Sequence, residues 1–262
     1  MIDSLANKRL RFVCFAAFVL SVLICSAETE AQKRRPGASN PVKRREVPVV
    51  KRTVPAVAVV IDERLAVLRF EPSLSAVPLQ RMRSGRTMTI VGSREADGVT
   101  FYRVQIPPEK SGWVQSEAVA TTVRRGDDER LANLIRATKG FEQIERAALF
   151  LEIFQNSVYR PAVLLLIGDL LEESAAKLSR DATKKFKENE MQASGAPIHS
   201  FYQNYVGLDR YRKLGANFVF NKQQKQFHYD GASWREIVQK YAKSAENDEA
   251  KKRLVTLVEK LK

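Results

Sequence analysis

The chain has almost none of the residues on which metal, redox and thiol chemistry depend. Its two cysteines, Cys14 and Cys25, both lie near the N-terminus. If the segment that carries them is removed, disulfide frameworks, Cys-ligated zinc, iron–sulfur clusters and thiol nucleophiles drop out together. The two histidines, His199 and His228, are too few for a multi-histidine metal site. The sequence also lacks a serine nucleophile elbow, a phosphate-cradling glycine loop and a paired-histidine metal helix. No catalytic residue, metal or cofactor is therefore assigned. Hydrophobic residues make up 44% of the chain, enough for a real core, so wholesale disorder is excluded.

What is present begins with an address. Lys8, Arg9 and Arg11 form a positive flank, and Phe12 to Ala27 then runs sixteen residues without a charge. That length suits the apolar region of an export leader and is short for a bilayer span, which needs about 20 residues. Small residues at Cys25 and Ala27 favour cleavage after Ala27, giving a signal peptide over 1–27, with Ala31 as a second site. The alternatives are an uncleaved membrane anchor over 12–27, held by Val19–Ile24, and a lipid anchor on Cys25. The expected location is the cell envelope, periplasmic or extracellular.

Basic residues exceed acidic ones by 14, and the excess is uneven. Residues 33–52 hold eight basic groups against the single acid Glu46: Lys33, Arg34, Arg35, Lys43, Arg44, Arg45, Lys51 and Arg52. Pro36, Pro41 and Pro48 break any helix among them, and like charges extend the chain, so 28–52 reads as a stretched linker. The first six cations are candidates for contact with an anionic surface: phospholipid, lipopolysaccharide phosphate or an acidic wall polymer. A solvated spacer is the alternative. A nucleic-acid arm would have similar composition, but export removes that partner.

After Arg52 the pattern turns to short β-branched runs. Val54–Ile61, Leu65–Leu68, Met88–Val91, Val99–Ile106 and Gly112–Val114 predict five strands. Ala96-Asp97-Gly98 predicts a tight hairpin turn, and Pro107-Pro108 ends the strand that follows it. From Asp127 the period becomes helical. Asp127-Asp128-Glu129 open one helix, and Phe141, Ile144, Ala148, Leu151 and Phe154 line a second. Arg160-Pro161 start a third, which carries Leu164, Ile167, Leu171 and Ala175. Lys177–Glu190 is mainly charged and reads as exposed. A helix through Tyr202, Tyr205 and Leu208, with Arg210 and Arg212 beside it, closes at Gly215. A hairpin follows, Phe218–Phe220 with Phe227–Tyr229, and then two helices, one with Trp234 and Tyr241, one with Leu254 and Leu257. The fold class is α+β: a small β-barrel over 53–122, then a mostly helical part over 127–262 with one short hairpin.

The β segment resembles a bacterial SH3-like domain. Leu68-Arg69 with Pro72-Ser73, then Leu79, Gly85, Met88 and Ile90, then Asp97-Gly98 with Phe101-Tyr102-Arg103-Val104, and finally Gly112-Trp113-Val114, follow that family's order. Phe70-Glu71 stands where the family usually has a loop glycine. The resemblance implies attachment, either to wall peptides or to an envelope protein. It makes Arg69, Tyr102, Arg103 and Trp113 the candidate ligand-binding residues; the alternative is that Trp113 and Tyr102 are core. Residues 142–175 also resemble, in one copy, a tetratricopeptide helical hairpin, with an ordinary helical hairpin as the alternative.

Asp209, His228 and Asp230, with His199, could meet in space for acid–base work, but nothing in their spacing requires it. Alternation with Phe227 and Tyr229 places His228 on the wet face of its hairpin. The sequence thus implies an exported, non-enzymatic adaptor: the barrel binds a cell-wall polymer or an envelope protein, and the helical part docks a partner. The alternatives are a wall-lytic enzyme that uses the barrel for targeting, since a lone catalytic Glu leaves no signature, and a purely structural scaffold.

Overall fold

The computed structural model describes residues 56–262. The leader, the linker with its cations Lys33, Arg34, Arg35, Lys43, Arg44 and Arg45, and the start of the first predicted strand lie outside the described residues. The first part is one antiparallel sheet of seven strands: β1 Ala56–Val60, β2 Val67–Arg69, β3 Pro78–Arg81, β4 Thr87–Ala96, β5 Val99–Ile106, β6 Lys110–Gln115 and β7 Val119–Thr121. Their order is β3-β2-β6-β5-β4-β1-β7. β3 and β7 thus form two edges, and among the described residues no pairing joins them, so the expected barrel is not closed.

Local chemistry explains the longest pairing. Asp97 (φ 52°) and Gly98 (φ 74°) both adopt the left-handed region, as a two-residue turn matched to the strand twist requires. They join β4 to β5 in register from Ala96↔Val99 to Thr89↔Gln105, with a bulge between Ile90 and Gly92. One face is apolar: Ala58, Val60, Leu68, Met88, Val104 and Val114 are buried together.

The helical part follows with α1 Asp127–Ala137, α2 Phe141–Ile153, α3 Arg160–Lys185, α4 Glu188–Ala193, α5 Ile198–Gln203 and α6 Asp209–Arg212. The hairpin β8 Phe218–Asn221 and β9 Gln226–Tyr229 comes next, then α7 Ala232–Lys240 and α8 Asn247–Lys260. The α+β class and the hairpin agree with the sequence reading. The single helix expected through Tyr202 to Leu208 does not form: a 3-10 turn at Val206–Leu208 separates α5 from α6. Lys177–Glu190 is not uniformly exposed, because Leu178, Ser179 and Ala182 are buried on the core side of α3.

The helical core gathers Leu131, Ile135, Phe150, Leu164, Tyr202 and Trp234, and it takes in Ile61 and Ala120 from the sheet. The two parts therefore share apolar contact across their joint.

Gly168 is where α3 comes close to α7. A Cβ there would lie 2.6 Å from Ser233 Oγ and 2.7 Å from Trp234 Cε2, and closer still to Trp234 Nε1. Both side chains are buried, so neither has free space to retreat into. Gly168→Ala should destabilise the chain by about 1–3 kcal/mol despite its better helix propensity. Urea denaturation checks this; an unchanged or raised midpoint would show that the two helices can separate at no cost.

Candidate functional site

The sheet register sorts the four candidate binding residues. Arg69 on β2 lies opposite Trp113 on β6, and Trp113 lies opposite Arg103 on β5. Directly paired residues share a face. Arg69, Trp113 and Arg103 therefore form one row across three strands, an indole between two guanidinium side chains. Tyr102 is one residue from Arg103 and belongs to the opposite face. It packs against the sheet core, with the Arg124 guanidinium carbon 5.9 Å from its ring centroid. The structure thus brings three candidates together and sets Tyr102 apart.

The row is partly open. Arg103 is exposed, while Trp113 and Arg69 are half-buried. Trp113 belongs to neither apolar core. Phe101, on the same face two residues before Arg103, is fully buried. Arg69 donates from Nη1 to the Ala76 carbonyl at 2.8 Å, which fixes its guanidinium and holds the loop after β2. That loop is tied at its far side as well. Asp97 accepts from Ser73 Oγ and from the Leu74 N–H, each at 2.7 Å. Because Asp97 sits in the β4–β5 turn, the loop must cross the ends of β6 and β5. The Ser73 hydroxyl, then the Leu74 N–H, hold the exposed Asp97 carboxyl below its ordinary range. Sequence reasoning missed this clamp; Asp97 gave only a turn signal and Ser73 only a loop signal.

One row further along the same face, Thr89 pairs with Gln105 and Gln105 with Ser111. These three residues, with Pro107, Pro108, Glu109 and Lys110, line an open cavity of about 450 Å³. The face therefore offers, in sequence, a cation–indole–cation row and a polar depression walled by two prolines. An aromatic surface flanked by guanidinium groups can cover the apolar side of a peptide or amino sugar and pair with its carboxylate.

Among the described residues no hydrogen bond or ion pair joins the acid–base candidates Asp209, His228, Asp230 and His199. Asp209 pairs with Arg212 at 3.5 Å, and Asp230 lies 3.9 Å from Arg235. His228 is buried, not on a wet face, and its Nδ1 lies 3.0 Å from Glu172 Oε1. Glu172 also accepts from the Tyr229 N–H at 2.8 Å and from Lys260 Nζ at 2.8 Å. Burial pushes the Glu172 carboxyl up, but these donors, Lys260 foremost, together outweigh it and hold the group below its ordinary range. A carboxylate so saturated with donors ties helix, hairpin and C-terminus together. Among the described residues no group of three or more His, Cys, Asp or Glu side chains could hold a metal ion. No helix there is long and apolar enough to cross a membrane.

No family model, curated protein or solved structure matches this chain.

Proposed function

We propose that this chain is an exported, non-enzymatic adaptor of the cell envelope. Its seven-stranded sheet is read as an SH3-like module that binds a wall polymer or an envelope protein, and its helical part as a dock for a partner. The observation that carries this reading is the Arg69–Trp113–Arg103 row beside the cavity at Gln105 and Ser111. It supplies apolar area and a fork for a carboxylate on one side of the sheet. Residues 12–27 supply the address, and the cations of 33–52 raise local concentration at an anionic surface.

The test is sedimentation of the full chain with purified peptidoglycan at low and high salt, with and without residues 33–52. Binding should survive both high salt and loss of the linker. It should weaken about tenfold or more in Trp113→Ala, as expected for a half-buried aromatic that a ligand would cover, and less in Arg103→Ala, whose side chain is exposed. Binding lost on linker deletion, or equal in all variants, would remove the sheet from the role. Release of soluble wall fragments would favour a lytic enzyme instead.

A further inference from the structure

A second cavity, of about 380 Å³, lies in the helical part where α2 begins beside α3 and α6. Four cations line it: Lys139 before α2, Lys177 and Arg180 on α3, and Arg210 on α6. None of the four makes an ion pair among the described residues, where most other arginines of the helical part do. One lining carboxylate, Glu173, opposes them, which leaves an excess of three positive charges. Glu145 lies within the field of Arg210 but makes no ion pair with it.

Among the described residues Arg210 has no carboxylate partner, and aromatic rings hold it instead. Its guanidinium carbon stands 4.5 Å from the ring centroid of Phe141 and 4.8 Å from that of Tyr211. The two rings meet edge to face at 5.1 Å. Arg210 Nη2 donates to the Tyr211 hydroxyl at 2.9 Å, and Tyr211 is itself buried. Two rings and a hydrogen bond thus fix one side of a planar fork and leave its other donors for an anion. The first turn of α2, which has no side-chain cap, adds the positive end of a helix dipole to the same cavity.

We propose that this cavity binds a phosphate-bearing ligand. A single carboxylate neutralises one of the three excess charges, whereas a phosphate monoester or pyrophosphate carries about two or more and matches the guanidinium fork. The volume falls within the ordinary range for a small ligand. The site is independent of the sheet face and does not require that face to bind anything.

The experiment is calorimetric titration of the full chain, and of the chain without residues 33–52, with inorganic pyrophosphate. Vesicles of phosphatidylglycerol in phosphatidylcholine are tested in parallel by flotation. Saturable binding should persist without the linker. It should weaken about tenfold or more in Arg210→Gln, as expected for loss of a charge-assisted hydrogen bond, and similarly in the double variant Lys177→Gln, Arg180→Gln. Lys243→Gln, an exposed cation outside the cavity, should leave it unchanged. Arg210→Lys, which keeps the charge but not the fork, should fall between. Sensitivity of pyrophosphate binding to Arg210→Gln assigns a soluble phosphate, and sensitivity of the vesicles alone assigns a lipid headgroup. Binding that disappears with the linker, that ignores Arg210, or that falls equally in Lys243→Gln overturns the proposal. Circular dichroism of each variant separates loss of ligand from loss of fold.

Discussion

Asp127→Ala should cost about 3–5 kcal/mol of stability, the range for removing one partner of a buried ion pair. Asp127 is 1% exposed. One oxygen accepts from the Thr121 N–H at 2.8 Å. The other takes Arg124 Nε at 2.5 Å and Arg130 Nε at 3.2 Å. The same two guanidinium groups reach back to the strand end: Arg130 to the Glu117 and Val119 carbonyls, Arg124 to the Ser116 carbonyl. One carboxylate therefore orders both arginines that tie α1 to β7. Its removal strands a buried N–H and leaves two partly buried cations uncompensated. Burial pushes the half-buried Arg130 guanidinium down, against the attraction of Asp127, so the cation depends on that partner for its place. With domain stabilities of about 5–15 kcal/mol, a melting midpoint about 6–20 °C lower is expected, at about 2–4 °C per kcal/mol for a chain of this size. Asp127→Asn, which keeps an acceptor and loses the charge, should fall between. A shift under about 2 °C for the alanine variant, near the minimum for a single kcal/mol, would mean that the arginines find water instead.

The same residue illustrates how far sequence reaches. Asp127-Asp128-Glu129 reads as acid at a helix start, and the helix is there. That Asp127 is buried and turned toward Thr121 follows from tertiary packing, which no local pattern records. β5 and its turn were legible, because Gly98 and the alternation of Val99–Ile106 are local properties. β3 was not, since each of its four residues is exposed and nothing in Pro78–Arg81 alternates. The last strand read from the sequence, Gly112–Val114, is part of β6; β7 lies beyond a 3-10 turn at Ser116–Ala118. His228 was misplaced for a related reason. Alternation assumes one wet face, yet the C-terminal half of α3 lies against the hairpin: Ser179 Oγ accepts from the Phe227 N–H at 2.8 Å and Glu172 from the Tyr229 N–H. Phe227, His228 and Tyr229 are all buried as a result. Of the candidate site, the residue types were legible, and the strand period already sets Tyr102 and Arg103 on opposite faces; that Arg69, Trp113 and Arg103 fall in one row needed the register.

Arg146→Ala should be as damaging as loss of Asp127, and for a different reason. Arg146 lies on α2 and is 4% exposed. Its Nε donates to the Ile61 carbonyl at 3.2 Å, its Nη1 to Thr138 Oγ1, and its Nη2 pairs with Glu142 at 2.6 Å and stands 3.9 Å from Asp62. One guanidinium thus satisfies polar groups at the end of β1, at the C-terminus of α1 and on α2. Asp62 keeps Arg64, whose side-chain hydrogen bonds hold its carboxyl below the ordinary range, and the Thr138 hydroxyl keeps its donation to the Leu134 carbonyl at 2.7 Å, so the damage falls mainly on the buried carbonyl of Ile61. About 3–5 kcal/mol is expected from the stranded carbonyl, at about 1–3 kcal/mol, and from the emptied volume. Arg146→Lys should recover little, because the three donors of an ammonium radiate from one nitrogen and cannot reach partners that three separate guanidinium nitrogens contact. The form of the transition is the sharper test. Ile61 belongs to the helical core although it follows a strand, so sheet and helices should melt together in the parent chain. If Arg146 is what carries polar order across that joint, its alanine variant should lower the midpoint and broaden or split the transition, with β and α signals parting in temperature. A uniform, single-step shift would instead assign the coupling to the apolar contacts of Ile61 and Ala120.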